Sequence, residues 1–322
     1  MLQLESIIKK NRPNIGESSV RTYMCSIKRI IKDTKIDMET TSDFIKNVDE
    51  IIKAAKEYTP MVRKSRLTSV VILLDDKDDL DDKGEYDDAD KNDALKKLRY
   101  VILTDSKTVD DDESKQELTD KQKKNFLPQN EIINIYNVLK EQTIPLFKLH
   151  TLNKKQFEMM QLYVLLSLYV LIPPRRSMDY SYFKIRNVNP EIDNFFIAGK
   201  KKKDLGSFIF NQYKNSKKLG AQIIERIPRD LEKIIEKWKQ YNKSDYLLIN
   251  NVGNQVSGSK IALWLNQIFG KNISVSMLRH IYLSNKFGDV NLNDLKDTAK
   301  DMGNSEGGIE RILKYVQKDN QV

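Results

Sequence analysis

Apolar side chains recur every three or four positions through the N-terminal third of the chain, the spacing of amphipathic helices. Such runs occupy residues 16–34 and 59–74, and another begins at residue 92. The stripe of the first run is formed by Val20, Tyr23, Met24, Ile27, Ile30 and Ile31. The pattern predicts a small helical bundle.

The second half mixes helical and alternating patterns. A helix is predicted behind Pro128, and the apolar run at 159–172, too short to span a membrane, predicts a buried core helix. Residues 194–228 have the pattern of three strands joined by turns. Further helices are predicted over 229–241, 256–269, 276–286, 291–302 and 308–318. The predicted fold class is α+β: a helical bundle, then a mainly helical domain with a small three-stranded antiparallel sheet.

Two polar stretches interrupt the first half. Residues 75–93 carry eleven acids and three lysines, a net charge of −8, without periodicity, which predicts a solvated acidic loop. A polar stretch without a predicted helix covers 104–123. We therefore expect two domains, 1–120 and 121–322.

Charge distribution suggests a polyanionic partner. The formal net charge is +9, so the chain outside the acidic loop carries +17, a balance that favours nucleic acid. An AT-rich genome, which fills surfaces with Lys, Asn and Ile, is the alternative explanation. The acidic loop could cover a basic DNA groove, or simply be solvated. Basic residues flanking the first two apolar stripes are candidate DNA contacts: Arg21, Lys28, Arg63, Lys64 and Arg66.

Cysteine and histidine are scarce. With one cysteine, Cys25, and two histidines, the chain has no intrachain disulfide and no His/Cys zinc cluster. Cys25 lies among apolar residues, so we expect it in the core of a protein from a reducing compartment. The first twenty residues lack an apolar signal segment, so we expect the cytoplasm or nucleus of a host. No metal and no cofactor are expected.

Two arginines occupy unusual positions for a lysine-rich chain. In the string PPRRSMDY, Arg176 follows a proline break and Asp179 lies three residues later. In SVSMLRHIYLS, Arg279 and His280 lie near the start of an apolar helix, where backbone N–H groups favour an anion. A buried guanidinium is costly unless an anion meets it, so an anionic ligand is indicated.

Two further side chains become interesting only in combination with those arginines. Lys214 ends a predicted strand before a turn rich in Lys and Gly, where lysines are usually solvated. Tyr315, in MGNSEGGIERILKYVQK, falls about 110° from the centre of its helix's apolar face, so it is not an obvious core residue. Each signal is weak alone.

The order Arg, Lys, Leu-Arg-His, Met-Gly-Asn-Ser, Tyr resembles the tyrosine recombinase (phage-type integrase) family over about 145 residues, from Leu171 to Tyr315. LRH is among that family's more recognisable signatures, and MGNS is similar to its usual Leu-Gly-His-Ser. The N-terminal bundle looks like the family's core-binding domain. The resemblance implies double-stranded DNA as partner and a homo-oligomer, a tetramer on paired sites, with no membrane partner.

The resemblance also implies an enzyme that breaks and rejoins DNA through a 3′-phosphotyrosine, without metal or ATP. Tyr315 would attack the scissile phosphate. Arg176 and Arg279 would hold its non-bridging oxygens. Lys214 would protonate the departing 5′ oxygen, with Lys217 as second choice for that role.

Some positions support or depart from the family pattern. Asp179 would hold Arg176 in place. Ser276 stands where the family has a histidine, and Asn304 where it often has His or Trp. Asn can donate a hydrogen bond but cannot shuttle a proton, and His280 need not compensate.

Three interpretations stay open at this point. The first is a DNA recombinase or integrase. The second keeps the fold but not full activity, as a DNA-binding protein, with a type IB topoisomerase as the related enzymatic option. The third is a basic helical protein whose motif order is chance, in which Arg176, Lys214, Arg279 and Tyr315 would be scattered in space.

Overall fold

A computed structural model of the protein describes residues 2–76, 88–114, 120–201, 204–286 and 302. The chain divides into two compact units, Met1–Lys115 (unit 1) and Gln116–Val322 (unit 2), and each has its own hydrophobic core. Most of the predicted acidic loop and the predicted helices over 291–302 and 308–318 lie outside the described residues, apart from Met302.

Unit 1 is helical throughout its described residues. Its helices are α1 (Leu2–Asn11), α2 (Glu17–Thr34), α3 (Thr41–Lys46), α4 (Val48–Ala55), α5 (Pro60–Leu74) and α6 (Ala89–Ser114). The helices predicted over 16–34 and 59–74 are therefore present as α2 and α5. Helix α5 lies at the centre of the bundle, contacting the other five helices and burying Leu67, Val70 and Leu73 completely.

Helix α2 shows how the apolar pattern determines which face is buried. The residues buried on it lie three or four positions apart: Val20, Met24, Ile27 and Ile30. The helix ends at Lys35, whose left-handed backbone (φ 57°) lets its N–H bond to the Ile31 carbonyl. Cys25 is exposed, so its predicted core position is wrong. It follows Met24 by one residue, which turns its side chain about 100° away from the apolar stripe.

The polar stretch at 104–123 is more helical than its composition predicts. Helix α6 continues to Ser114, and α7 (Asp120–Asn125) follows in unit 2. The physical reason lies in tertiary packing, because α6 runs along α5 and Asp105 is buried there against Arg63. A buried ion pair gives an acidic residue a place inside the bundle that the hydrophobic pattern does not show.

Unit 2 is built around a helix that is buried over most of its length. Its longer helices are α8 (Gln129–Thr143), α9 (Lys154–Val170), α12 (Arg229–Tyr241), α13 (Gly258–Phe269) and α14 (Val275–Lys286). Every residue of α9 from Met160 to Tyr169 is buried, which confirms the predicted core helix. Short helices are α10 (Ser177–Ser181), α11 (Ser216–Leu219) and a 3-10 turn (Ile144–Lys148). Within the described residues, no helix combines the length and apolarity needed to cross a membrane.

A small sheet completes unit 2. Its strands are β1 (Phe183–Lys184), β2 (Asn194–Ile197), β3 (Ser207–Phe210) and β4 (Gln222–Ile224), in that order across the sheet. Strands β2, β3 and β4 pair antiparallel as predicted, with Phe208 opposite both Phe196 and Ile224. The α+β class is confirmed, but the count of three strands is wrong, because β1 adds a parallel edge. Two residues are too few to show an alternating pattern.

Candidate functional site

The loop after α9 carries two consecutive arginines with different surroundings. Arg175 is completely buried, and its Nε donates to Asp179 Oδ2 at 2.8 Å. Its Nη2 donates to Gln222 Oε1 at 3.0 Å, and its Cζ lies 3.8 Å from the ring centroid of Phe210. The described hydrogen bond to the Asp179 carboxylate comes from Arg175, so the role of Asp179 in holding Arg176 stays a prediction.

Arg176 and Arg279 are both half-buried and both act on the same carboxyl group. Arg176 is the N-cap residue of α10, whereas Arg279 is the fifth residue of α14 and donates from Nη1 to the Met302 carbonyl at 3.3 Å. Burial raises the pKa of the Asp179 carboxyl, and the charges of Arg175, Arg176 and Arg279 act in the opposite direction. The fold thus brings together two predicted arginines that are 103 positions apart.

Arg175, Arg176 and Arg279 form a group that we call the arginine cluster. Two buried tyrosines border this cluster. Their rings meet edge to face, with 5.7 Å between the centroids of Tyr169 and Tyr180. Burial raises the pKa of both phenols, although Arg279 acts to lower that of Tyr169 and Arg175 acts to lower that of Tyr180. Both groups therefore stay protonated near neutral pH, which makes them poor nucleophiles.

Three positive groups act on the Asp179 carboxyl. They are the guanidiniums of Arg175, Arg176 and Arg279. An anion placed there would find preorganised donors rather than mobile surface lysines.

Lys214 lies in the connection from β3 to β4, where it is exposed. Its neighbour Tyr213 is buried, with its ring centroid 5.5 Å from the Arg175 Cζ. The Tyr213 hydroxyl donates to the Gly220 carbonyl at 2.9 Å, which closes the connection on itself. The backbone at Lys214 is therefore next to the arginine cluster, while Lys217 is an exposed residue of α11.

The remaining predicted site residues divide into two groups. Ser276 is exposed and His280 is half-buried, both on α14. Asn304 and Tyr315 lie outside the described residues, so the assignment of Tyr315 as nucleophile stays a prediction. Within the described parts of the chain, no cluster of three or more His, Cys, Asp or Glu side chains could hold a metal ion.

Two of the predicted DNA contacts in unit 1 are engaged inside the bundle. Arg63 donates from Nε to Asp105 at 2.8 Å, and Asp105 is almost completely buried. Arg66 donates from Nη1 to Asp33 at 3.1 Å, and its Cζ lies 3.6 Å from the ring centroid of Tyr58. These pairs give both arginines a structural role that the sequence does not indicate.

Helix α2 presents the other basic residues differently. Arg21, Cys25, Lys28 and Lys32 are all exposed and follow one another at intervals of four, three and four positions. That spacing places them on one face of the helix, opposite the buried stripe. Lys64, on α5, is half-buried.

Sequence reasoning missed Arg175, Asn194 and Gln222. Arg175 stands beside the predicted Arg176, so its string could have indicated it. Asn194 is buried, and its Nδ2 donates to the carbonyls of Asp179 at 2.9 Å and Gln212 at 2.7 Å. No local pattern marks Asn194 or Gln222, because their partners are distant in sequence.

Comparisons with known proteins bear on the fold. No protein-family model and no curated protein matches the sequence. Among solved structures, lambda integrase in a tetramer bound to a Holliday junction is similar, with a TM-score of 0.51 and 10% identity over 99% of this chain and 77% of that chain. XerA recombinase is also similar, with a TM-score of 0.41 and 12% identity over 99% of this chain and 94% of that chain.

The likeness to lambda integrase agrees with the architecture described above. A helical unit precedes a mainly helical unit that contains a small sheet, and the motif-bearing residues Arg176, Lys214 and Arg279 lie in the second unit. The chain therefore has the fold of the tyrosine recombinases, the family that its motif order resembles.

Proposed function

We propose that this chain is a DNA strand-exchange enzyme, an integrase or recombinase that breaks and rejoins double-stranded DNA through a covalent 3′-phosphotyrosine. The observation that carries this proposal is that the charges of Arg176 and Arg279, 103 positions apart, both act on the buried Asp179 carboxyl. A phosphodiester in transesterification gains negative charge as the fifth bond to phosphorus forms. Positive charge held in place before the reaction stabilises such a transition state.

The proposed step uses four side chains. The phenol oxygen of Tyr315 bonds to phosphorus after its proton passes to solvent, and the bond from phosphorus to the 5′ oxygen breaks. Lys214 gives a proton to that 5′ oxygen, so the products are a 3′-phosphotyrosine and a free 5′-hydroxyl. Arg176 and Arg279 stabilise the non-bridging oxygens, each by about 3–4 kcal/mol. Because the phosphodiester energy is kept in the new bond, this chemistry needs neither ATP nor a metal ion.

The partners follow from the same proposal. Unit 2 holds the chemistry, and unit 1 contributes phosphate contacts from the exposed face of α2 that carries Arg21 and Lys28. Lambda integrase was solved as a tetramer on a Holliday junction. By extension, we propose that four copies of this chain act together on two paired DNA sites.

The decisive experiment traps the covalent intermediate. The substrate is a pool of random-sequence duplexes with a nick, placed so that the short cleaved strand diffuses away and religation fails. The unmodified chain should form an adduct that survives denaturation, and sequencing its DNA identifies the target. Tyr315→Phe should abolish the adduct, whereas Tyr100→Phe, which alters a highly exposed tyrosine of α6, should not. An adduct on Tyr315→Phe would show that the nucleophile is another residue.

A second candidate function is DNA binding without cleavage. It is favoured by one observation: exposed Ser276 stands where the resemblance leads us to expect a histidine. Salt-dependent binding with no adduct on any duplex in the pool would support this alternative. A type IB topoisomerase would instead relax supercoiled plasmid as a monomer, without pairing two sites.

A further inference from the structure

Two side chains link the β3–β4 connection, residues 211–221, to Asp179, the residue on which the three arginines act. The buried Arg175 spans from the Asp179 carboxylate to Gln222, the first residue of β4, and lies against Phe210, the last residue of β3. The connection between Phe210 and Gln222 carries Lys214. Arg175 therefore contacts both ends of the segment that holds the proposed general acid.

The second link is formed by the buried side chain of Asn194. Its Nδ2 donates to the Asp179 carbonyl and to the Gln212 carbonyl, and its Oδ1 accepts from the Gln212 backbone N–H at 2.7 Å. The backbone two residues before Lys214 is thus linked through Asn194 to Asp179, the residue whose carboxylate Arg175 contacts. Together, the contacts of Arg175 and Asn194 fix the connection on both sides of Lys214.

We propose that Arg175 is a positioning residue, whose buried guanidinium fixes the β3–β4 connection, and with it Lys214, relative to the neighbouring Arg176. The catalytic part of this inference rests on the proposed function. Fixing the connection would favour proton transfer. Lys214 is exposed, and a long side chain on a flexible turn would seldom lie close to the leaving oxygen. Arginine suits the task because its planar group can donate in two directions and stack on Phe210.

Removing Arg175 would leave the buried Asp179 without its partner and threatens folding, so the main variant is Gln222→Met. It keeps the ion pair between Arg175 and Asp179 but removes the bond to β4. Arg175→Lys is the second variant, because it keeps the charge but loses the planar, two-directional donor group. Gln255→Met, at an exposed glutamine of unit 2, is the matched control.

The readout is the rate of adduct formation at saturating DNA on two substrates. One is an ordinary phosphodiester, and the other has sulfur in place of the bridging 5′ oxygen. A thiol has a pKa of about 8.5 and leaves without a proton donor, so this substrate no longer needs Lys214. Gln222→Met and Arg175→Lys should be slower by about 10- to 100-fold on the oxygen substrate and within about threefold of the unmodified chain on the sulfur substrate. An equal loss on both substrates would overturn the inference.

Hydrogen exchange of the free protein tests the positioning itself. In both variants, amides of residues 211–221 should exchange faster, while those of α9 keep their protection. Unchanged exchange in the connection would also overturn the inference. If the unmodified chain forms no adduct with either substrate, the proposed function fails, and the exchange result alone decides whether Arg175 holds the connection.

Discussion

The two units place arginine beside apolar runs in similar sequence contexts but use it differently. In unit 1, Arg63 pairs with Asp105, and Arg66 pairs with Asp33, a carboxylate that Arg29 also contacts. The Arg66 group also lies over the ring of Tyr58. The contacts of Arg63 and Arg66 connect helices of one bundle.

In unit 2, three guanidiniums act on one buried carboxyl group. Arg175 is bonded to the Asp179 carboxylate, while the charges of Arg176 and Arg279 act on the same group. Whether a guanidinium contacts its carboxylate directly, as Arg63 does, or acts on a shared one, as Arg279 does, is determined by the fold.

The largest expected effect is on catalysis in unit 2. Arg279→Met should slow adduct formation by about 10²–10³-fold, because it removes a preorganised donor from a charge that develops in the transition state. The melting temperature of unit 2, measured in parallel, separates this loss of rate from a loss of folding. Denaturing gels give the rate, and tryptophan fluorescence reports stability, because both tryptophans, Trp238 and Trp264, lie in unit 2. A rate within threefold of the unmodified chain would place the phosphate elsewhere.

The second effect is on stability in unit 1. Arg63→Met should destabilise that unit by about 3 kcal/mol, because it leaves Asp105 buried without a counter-ion. Hydrogen exchange of α5 and α6 in the full chain measures the loss, and tryptophan fluorescence of unit 2 serves as the internal control. Adding Asp105→Leu should restore most of the stability, since an apolar pair of similar volume replaces the ion pair. Failure of this rescue would mean that Arg63 stabilises the bundle through contacts other than the ion pair, such as the hydrogen bond from its Nη1 to the Tyr58 carbonyl.

Arg279 and Arg63 illustrate how much of the fold and of the candidate site could be predicted from the sequence. Helical periodicity predicted α2 and α5, whose apolar positions recur along one segment, and a continuous apolar run predicted the buried helix α9. Motif order predicted Arg176 and Arg279 as site residues, and their charges act on the same carboxyl in the fold. Both signals are present in the sequence itself, because a helical pattern involves neighbouring residues and a motif order follows the chain.

Contacts between distant residues were not predictable. The pairing of Arg175 with Gln222 joins positions 47 apart, and that of Arg63 with Asp105 joins positions 42 apart. No periodicity connects such residues, since their proximity results from the packing of whole elements. For the same reason, the helix beyond residue 104 was missed, because Asp105 marks a polar stretch in sequence but an interior ion pair in the fold.

A smaller effect should appear in the pH dependence of the stability of unit 1. Burial acts to raise the pKa of Asp33, but the hydrogen bond from Tyr58 and the charges of Arg29 and Arg66 outweigh it and hold the pKa below its ordinary value of 3.8. A lowered folded pKa contributes stability above the unfolded pKa, and that stability is lost as pH falls through the folded pKa. Asp33→Asn should therefore cost about 1 kcal/mol at pH 7 and progressively less as the pH falls below 3.8. Hydrogen exchange or circular dichroism at a series of pH values measures this trend, and parallel curves for the two proteins would contradict the pairing.

The smallest expected effect concerns the exposed face of α2, the counterpart in unit 1 of the arginine cluster. Lys28→Ala should lower the slope of log binding constant against log salt by about 0.9, the release of one counterion, and leave stability unchanged. The same face carries Cys25, the only cysteine of the chain, between Arg21 and Lys28. Bound DNA should therefore slow alkylation of that thiol in the unmodified chain, and raising the salt should restore the rate. If DNA binds with an unchanged slope and an unprotected thiol, α2 is only a solvated basic face, and the phosphate contacts of unit 1 lie on another helix.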